Sequence, residues 1–452
     1  MSTPAKLNIT TLVDQSRLGA FQWTMFTLCG LCLIMDGFDV QAMGYVAPEV
    51  IKEFHVARDV MGRVLSAALV GILIGSYALS MLADRFGRRP VLIGASLYFA
   101  VCAILTAHVE SVNQLLIIRF LGGIGMGAIM PNALALAGEY SPARVRVMVL
   151  MIVGNFFTMG AAIGGFIANW LLPRYGWRAV FTFGGVVPLV VGILMLFFLP
   201  ESLQFMVLRG KSIEKIKGWL HRINAPVPAG DVQFAVHEEN RKGVPIFHLF
   251  REGRAMGTVM LWIINFMNLV NLYFLGAWLP TVVKDAGYTG SIPVLVGTAV
   301  KVGGSIGGIT NGWIIGKLGF RQVLVTLFGI GTVALAVLGQ PSLPLMMLFI
   351  AAFVAGYCIP GGQPGVNSLA AVYYPTYLRS TGIGSSLGFG RIGAIIGPVV
   401  AGILIQNHWA ARELFYAAAI PAAISCLATV ALRWVMKEPE LASVKPAEVL
   451  AH

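Results

Sequence analysis

Residues 62–109 read GRVLSAALVGILIGSYALSMLADRFGRRPVLIGASLYFAVCAILTAHV and form two apolar runs, 62–82 and 91–109, joined by a short charged segment. A helix needs about 20 apolar residues to cross the hydrocarbon of a bilayer, and each run has about that length. The segment between them holds four charged residues from Asp84 to Arg89. The stretch therefore predicts two membrane-spanning helices connected by a tight, charged loop.

The composition of the whole chain also indicates a membrane protein. Of its 452 residues, 57% are hydrophobic and 12% are charged, and the mean hydropathy is +0.79. Soluble domains carry about 25% charged residues, and soluble cores stop growing near about 250–300 residues. These values exclude a soluble globular protein and, more firmly, a disordered chain.

Other counts exclude several functions. The net charge of +12 comes from Lys and Arg in short loops, which is typical of membrane topology rather than of nucleic-acid binding. The five cysteines lie in apolar runs, and neither they nor the seven histidines form a metal-ligand pattern. We find no nucleotide-binding loop and no set of nucleophile, histidine and acid. We therefore expect no cofactor, no metal, no nucleic-acid partner and no enzymatic activity.

Twelve apolar runs are long enough to span a bilayer, and they fall into two groups of six. They lie at 21–47, 62–82, 91–109, 114–137, 147–171, 178–199, 255–283, 291–315, 322–339, 343–372, 380–405 and 411–435. The polar interval between the groups carries nine cations and has room for one or two amphipathic helices. We predict an all-α membrane protein with an N-terminal six-helix domain (1–199), a cytoplasmic linker (200–254) and a C-terminal six-helix domain (255–452).

The distribution of Lys and Arg predicts the orientation of the chain. With both termini inside, the cytoplasmic segments hold 22 of the 32 cations and the outer loops hold seven. The remaining three, Arg119, Lys301 and Arg391, lie within spans. We therefore predict a multi-pass protein of the cell inner membrane whose termini and linker are cytoplasmic.

The two groups of spans look like repeats of one unit. The segment that begins at Asp84 recurs at Gly316, at an offset of 232, and the P-x-x-x-R spacing that ends at Arg146 recurs at Arg379, at an offset of 233. Two glycines of span 5 recur in span 11 at the second of these offsets. Because each group holds an even number of spans, both share one orientation, which predicts parallel repeats about an axis along the membrane normal.

The loop between spans 2 and 3 resembles the signature G-x-L-A-D-R-x-G-R-[RK] of the major facilitator superfamily of secondary transporters. It reads SMLADRFGRR from Ser80 to Arg89, with Ser80 in place of the first glycine. Span 4 carries the glycine-rich pattern of that family after Arg119. Span 1 reads DGFD from Asp36 to Asp39 and is similar to the aromatic acid:proton symporters, which import benzoates and hydroxybenzoates. The resemblance to the superfamily covers essentially the whole chain.

The cost of burying charge points to span 1 as a place where protons bind. Asp36 and Asp39 are one helical turn apart, so their carboxylates share one face. A carboxylate at membrane depth costs roughly 2.5–3.5 kcal/mol unless it faces a cavity or is protonated. A like-charged neighbour further favours the protonated form. We expect this pair to carry protons together with Arg119 and Glu139 of span 4; the alternative is a structural, hydrogen-bonded pair.

Cations within spans indicate an anionic substrate. Arg391 is the first candidate to bind its carboxylate, because a guanidinium offers a matching bidentate fork. Lys301 is the second candidate, with a structural role as its alternative. Arg119 has the alternative of an ion pair that packs helices together.

The repeat predicts further substrate-binding residues. Adding 232 to the numbers of the span 1 carboxylates gives Asn268 and Asn271 of span 7. We predict that these amides line a central cavity and offer neutral hydrogen bonds to the substrate. Alternatively, they join helices to one another. Two further candidates for the cavity wall are Gln41 and Gln363.

A network of charges at the cytoplasmic face is expected to act as a gate. Exposed ion pairs contribute about 0–1 kcal/mol each to stability, so their effect on transport comes from the conformation that they favour. Its predicted members are Asp84, Arg85, Gly87, Arg88, Arg89, Arg146 and Arg379.

These observations predict a secondary active transporter that works as a monomer in the lipid bilayer. It would import an aromatic carboxylate, hydroxybenzoate-like or benzoate-like, in symport with protons by alternating access. One proton per monovalent carboxylate makes such uptake electroneutral. Two alternatives remain: a major facilitator transporter of another organic anion or metabolite, and a sensor of aromatic acids that does not translocate them.

Overall fold

The computed structural model describes residues 6–210, 212–223, 225, 233–235, 246–251, 253–374 and 378–432, and most of these are helical. The first part contains β1 (Lys6–Asn8), α1 (Ile9–Asp14), α2 (Ala20–Phe54), α3 (Arg58–Phe86), α4 (Arg88–Thr106), α5 (Val112–Glu139) and α6 (Ala143–Phe198). The middle contains α7 (Leu203–Leu208), α8 (Ile213–Arg222), β2 (Gln233–Ala235) and a 3-10 helix at Ile246–Phe250. The last part contains α9 (Ala255–Asp285), α10 (Ile292–Leu318), α11 (Phe320–Leu338), α12 (Leu345–Cys358), α13 (Gln363–Tyr373), α14 (Arg379–Gln406) and α15 (Ala411–Ala431).

Eleven helical segments of the described chain are long and apolar enough to cross a membrane. One of them, α6, has 56 residues and contains Gly176, whose backbone angles (φ 74°, ψ 179°) are not helical. The arms on either side, 143–175 and 177–198, are each long enough to cross a bilayer at about 1.5 Å per residue. Counting the arms separately gives twelve spans, in agreement with the hydropathy pattern.

The tenth predicted span is interrupted, because residues 359–362 separate α12 from α13. Carbonyl groups at this break accept hydrogen bonds from neighbouring helices. Asn268 Nδ2 donates to Ile359 O at 3.3 Å, and Asn311 Nδ2 donates to Gly361 O at 3.0 Å. Partners of this kind make non-helical backbone tolerable at membrane depth.

Helices within each half pack closely through glycines, and the contacts correspond between the halves. Gly71 of α3 faces Phe120 O of α5, and Gly303 of α10 faces Phe353 O of α12. A Cβ atom at either glycine would overlap the facing oxygen. The two glycines are related by an offset of 232 and the two carbonyl groups by an offset of 233, so these close approaches follow the predicted repeat.

The buried hydrophobic residues are arranged differently at the two ends of the helices. Where α2 ends and α3 begins, one core contains residues of both halves, among them Val50 and Val283. Where α3 ends and α4 begins, one core lies within residues 9–225 and another within 249–432. We call these the joined end and the separated end.

The linker contains α7 and α8, and α8 buries Ile216 and Leu220 on one face, as expected for an amphipathic helix. β1 and β2 pair in parallel, with Lys6 opposite Gln233, so residues 6–8 lie against residues 233–235 of the linker. Strands of three residues carry no hydropathy period, and the sequence did not predict this pairing.

Candidate functional site

Two acidic side chains lie deep within the bundle on α2. Asp36 and Asp39 are 4% and 0% exposed. Between them, Gly37 faces Phe157 O of α6 so closely that a Cβ atom would overlap it. Small residues allow helix backbones to approach in this way in lipid. Direct packing of α2 on α6 therefore fixes the depth of both carboxylates.

Asp39 forms a buried ion pair with Arg119 of α5. Arg119 Nη1 lies 2.8 Å from Asp39 Oδ1 and 2.7 Å from Oδ2, and the arginine is 5% exposed. The guanidinium carbon also lies 5.5 Å from the centre of the Phe181 ring. The structure thus brings two of the predicted proton-coupling residues together, and Arg119 is held by a carboxylate of its own half.

Asp36 is not paired in this way. Its Oδ1 atom is buried and has no hydrogen-bond partner among the described residues. The charges that act on it are Asp39 of its own helix and Arg391 of α14, in the other half. Arg391 itself donates from Nη1 to Ser76 Oγ of α3. Arg391, the first candidate to bind the substrate carboxylate, therefore contacts the first half from its position on α14 of the second half.

A cavity of about 40 Å³ lies between the halves. Because a water molecule needs about 10–15 Å³ by this measure, the cavity has room for a few waters, and a larger ligand requires the halves to move apart. Its polar wall contains Gln41, Arg119, Tyr273 and Lys301. Its apolar wall includes Val40, Leu65, Leu69, Phe157 and Leu272.

Gln41 and Lys301 meet at Gly276 of α9. Gln41 donates from Nε2 to Gly276 O. A Cβ atom placed on Gly276 would lie 2.8 Å from Gln41 Oε1 and 3.3 Å from Lys301 Nζ. Because Gly276 has no side chain, Gln41 of the first half and Lys301 of the second half both have room to reach the cavity beside it.

The amide group of Asn268 does not lie on the cavity wall, contrary to the prediction. Its Nδ2 donates to Gln363 Oε1 at 2.6 Å, and Gln363 Nε2 donates to Asn265 Oδ1 at 2.9 Å and to Asn367 Oδ1 at 3.0 Å. These bonds join α9 to α13 beside the break at 359–362. The alternative role given for Asn268, that of joining helices, describes it in this structure, and Gln363 takes part in the same hydrogen bonds.

Asn271 is also absent from the cavity wall. Both polar atoms of its side chain are buried without a hydrogen-bond partner among the described residues. Its counterpart in the first half, Asp39, pairs with Arg119, but the offset of 233 leads from Arg119 to Ala352. The second half therefore has a polar residue, Asn271, at the position equivalent to Asp39, but it has Ala352 at the position equivalent to Arg119.

The described side chains of the predicted gate lie at the separated end, and their contacts are with the first half and the start of the linker. Arg88 pairs with Glu139, which also accepts a hydrogen bond from Ser202 Oγ. The backbone N–H groups of Arg88 and Arg89 donate to Glu201 Oε1 at 3.0 and 3.2 Å. This cluster joins α4 and α5 to the start of the linker.

The other predicted gate residues are placed as follows. Arg146 pairs with Asp14 of α1 at 2.7 Å. Arg85 lies over the ring of Phe86, and Gly87 takes the positive φ of 106° that ends α3. The side chains of two members lie outside the described residues: Asp84 and Arg379.

Glu139 lies far from the carboxylates of α2, and its part in proton coupling stays a prediction. It lies on α5 with Arg119, and the difference in their residue numbers places the two positions about 30 Å apart along the helix axis. The structure therefore places Glu139 in the cluster at the separated end and does not bring it to the carboxylates of α2.

Two ion pairs that the sequence did not predict cross between the halves at the joined end. Arg58 Nη1 lies 2.9 Å from Asp285 Oδ2, and Lys284 Nζ lies 2.8 Å from Glu49 Oε1. Arg58 N also donates to Gln406 Oε1 at 2.9 Å. A Lys followed by an acidic residue lies near the ends of both α2 and α9 at an offset of 232. The copy on α9, Lys284 and Asp285, forms these pairs, whereas Glu53 of α2 pairs with Arg178 of its own half.

Comparison with known proteins agrees with this architecture. The family model described as Major Facilitator Superfamily matches residues 29–339 and 261–450. The 4-hydroxybenzoate transporter PcaK of Pseudomonas putida is 35% identical over 431 residues, which cover 95% of this chain and 96% of the relative. The gallate transporter of Pseudomonas putida is 34% identical over 428 residues, covering 94% and 95%.

A solved structure has the same fold. The partially occluded, inward-open xylose transporter XylE from E. coli superposes with a TM-score of 0.73 at 17% identity, covering 92% of this chain and 97% of that one. The chain therefore belongs to the major facilitator superfamily, in which it resembles the aromatic acid transporters, and it is a multi-pass protein of the inner membrane.

Proposed function

We propose that this chain imports an aromatic carboxylate, of the hydroxybenzoate or benzoate kind, in symport with protons. The relatives that transport 4-hydroxybenzoate and gallate support the substrate class. The observation that carries the proposal is a group of five charged side chains between the two halves, four of them buried and Arg391 half-buried.

This group has more cations than carboxylates. Its described members are Asp36 and Asp39 on one side and Arg119, Lys301 and Arg391 on the other. With all five ionised, one positive charge remains. Since unbalanced charge is costly at membrane depth, this surplus favours a monovalent anion as the substrate.

The pair of Asp39 and Arg119 links proton binding to anion binding. While Asp39 is ionised, its carboxylate neutralises Arg119. A proton on Asp39 removes that negative charge and leaves the guanidinium uncompensated on the cavity wall. An anion in the cavity then restores the balance, so proton and substrate favour each other's binding. Reciprocity of this kind is what symport requires.

Asp36 provides a second place for a proton. One of its oxygens has no hydrogen-bond partner among the described residues, and protonation would relieve the repulsion from Asp39. One proton per monovalent anion makes uptake electroneutral. A second proton makes uptake voltage-driven, with about 2.3 kcal/mol available per 100 mV for the net charge that enters.

In this proposal, transport results from alternate opening of the two ends of the helix bundle. With both termini in the cytoplasm, the joined end faces outward and the separated end faces inward. The six-helix domains at 1–199 and 255–452, connected by the linker at 200–254, rock about the central cavity so that each end opens in turn. The working unit in this scheme is a monomer.

The test is uptake of radiolabelled 4-hydroxybenzoate into proteoliposomes, with an inward proton gradient and with none. We expect accumulation when the gradient is imposed. Asp36→Asn should abolish that accumulation and retain exchange of labelled for unlabelled substrate, because exchange needs no net proton movement.

The matched control is Asp59→Asn, since Asp59 pairs with Arg63 four residues along α3, outside the central group. Its uptake should equal that of the wild type. Equal uptake with and without the gradient would rule out proton coupling. Folded protein that takes up none of 4-hydroxybenzoate, benzoate and gallate would rule out the substrate class.

A further inference from the structure

Two buried cations, Arg119 and Lys301, and the half-buried Arg391 lie between the halves, and they differ in the contacts that they make. Arg119 is held by both carboxylate oxygens of Asp39. Arg391 donates to Ser76 Oγ and interacts with Asp36. Lys301 has neither a hydrogen bond nor an ion pair with any described residue, although it is 6% exposed. Of the three, Lys301 is the one whose ammonium group has no hydrogen-bonding or ion-pair partner among the described residues.

The position of Lys301 suits a bound anion. Its ammonium group reaches the cavity between the halves, beside Gln41 Oε1 of α2 and the space above Gly276. The hydroxyl-bearing side chain of Tyr273 lies on the same wall, while Leu69 and Leu272 supply apolar surface. A site of this kind, apolar with a few convergent polar groups, is typical of small-molecule binding.

Burial explains why Lys301 needs such a partner. A charged side chain at membrane depth is expensive unless it is paired or faces water. Asp39 is already paired with Arg119, and the charge that acts on Asp36 from the other half is that of Arg391. A substrate carboxylate in the cavity would therefore supply the counter-charge that the protein itself does not.

The geometry points to Lys301 as the residue of the second half that binds the substrate's carboxylate, with the aromatic ring against the apolar wall. This inference rests on the proposed function and specifies its substrate contact. One carboxylate oxygen contacts Lys301 Nζ, while the other faces Arg119 when Asp39 is protonated. The substrate then bridges the halves, whereas Arg391 remains a contact between α14 and α3.

The experiment is calorimetric titration of the detergent-solubilised full chain with 4-hydroxybenzoate, benzoate and gallate. The neutral analogue 4-hydroxybenzamide is titrated in parallel. A charge-assisted hydrogen bond contributes enough for Lys301→Met to weaken binding of the acids by about tenfold to a hundredfold. Binding of the amide should be unchanged. Lys301→Arg, which keeps the charge, should bind the acids more tightly than Lys301→Met.

The control is Lys317→Met on the same helix, because Lys317 lies over the ring of Trp313, 3.6 Å from its centre and away from the cavity. It should bind all four compounds as the wild type does. Equal affinity of Lys301→Met and wild type for the acids would overturn the inference. If that variant does not fold, equal affinity of wild type for the acid and its amide would overturn it as well. Wild type that binds none of the acids would instead overturn the proposed function.

Discussion

Asp39 and Arg119 stabilise each other as a buried pair, and this predicts how substitutions at either position combine. Arg119→Leu leaves the Asp39 carboxylate buried without its partner, so we expect the free energy of unfolding to fall by about 3–5 kcal/mol. Adding Asp39→Asn removes the orphaned charge and should restore most of the loss. Unfolding in detergent, followed by tryptophan fluorescence, measures both effects.

The control for this cycle is Arg174→Leu, because Arg174 is an exposed arginine whose guanidinium lies over Trp170. It should change the stability by less than about 1 kcal/mol. A double variant as unstable as Arg119→Leu alone would show that the ion pair is not what stabilises this site.

For single residues, the sequence predicted which residue types the site contains better than which side chains they contact. The sequence grouped Arg119 with the two carboxylates of span 1, and the structure shows its contact with Asp39 because a buried charge must be compensated. The repeat offset of 232 gave the position of Asn268 along its helix, but it did not show which groups face the side chain. The predicted place on the cavity wall was therefore not found. The amide of Asn268 satisfies carbonyl groups of a break that the hydropathy pattern did not show.

The crossing of α2 and α9 is the element-scale feature that closes the joined end. Gly44 faces Gly276 O, and these glycines are related by the repeat offset of 232, so equivalent points of the two halves touch each other. A Cβ atom at Gly44 would overlap that backbone oxygen. We expect Gly44→Ala to prevent the helices from closing, costing about 1–3 kcal/mol, and to reduce uptake of 4-hydroxybenzoate strongly.

Gly94→Ala of α4 is the matched substitution, since a Cβ atom there would meet no atom within 4 Å. Replacing a helical glycine by alanine without a clash should leave uptake intact and stabilise the fold by up to about 1 kcal/mol. Uptake by Gly44→Ala at the rate of Gly94→Ala would contradict the close crossing.

The hydropathy pattern predicted where the long helices lie, but it did not predict where a helix is interrupted. The apolar runs predicted the long helices because length and burial alone decide whether a segment spans lipid. The break between α12 and α13 lies within one apolar run, where Pro360 and the two following glycines were the available signal. The non-helical Gly176 within α6 falls between two predicted spans, as expected.

At the scale of the whole molecule, the sequence predicted the family and could not predict the conformation. In the alternating-access scheme proposed above, one sequence encodes two conformations, so hydropathy and motifs are the same for each. The structure shows one state, in which a shared core closes the joined end and each half keeps its own core at the other. The ion pairs that accompany this state join α2 and α3 to α9, outside the motifs that identified the family.

These ion pairs predict that charge reversal at the joined end shifts the balance between conformations. Arg58→Asp replaces the attraction to Asp285 with repulsion across the halves. The pair is partly exposed, at 27% and 43% for the two side chains, so it contributes up to about 1 kcal/mol. That corresponds to a change of up to about fivefold in the population of the open joined end.

The measurement is the rate at which a thiol reagent labels Val46→Cys, introduced after the native cysteines are replaced by alanine. Val46 is fully buried in the shared core, so labelling requires the joined end to open. Arg58→Asp should speed labelling severalfold, and adding Asp285→Arg should reverse that gain because the charges are then exchanged. Arg63→Asp, whose partner Asp59 is on the same helix, should leave the rate unchanged. If Arg58→Asp labels no faster than Arg63→Asp, the cross-half ion pairs do not hold the joined end closed, and the shared apolar core alone accounts for it.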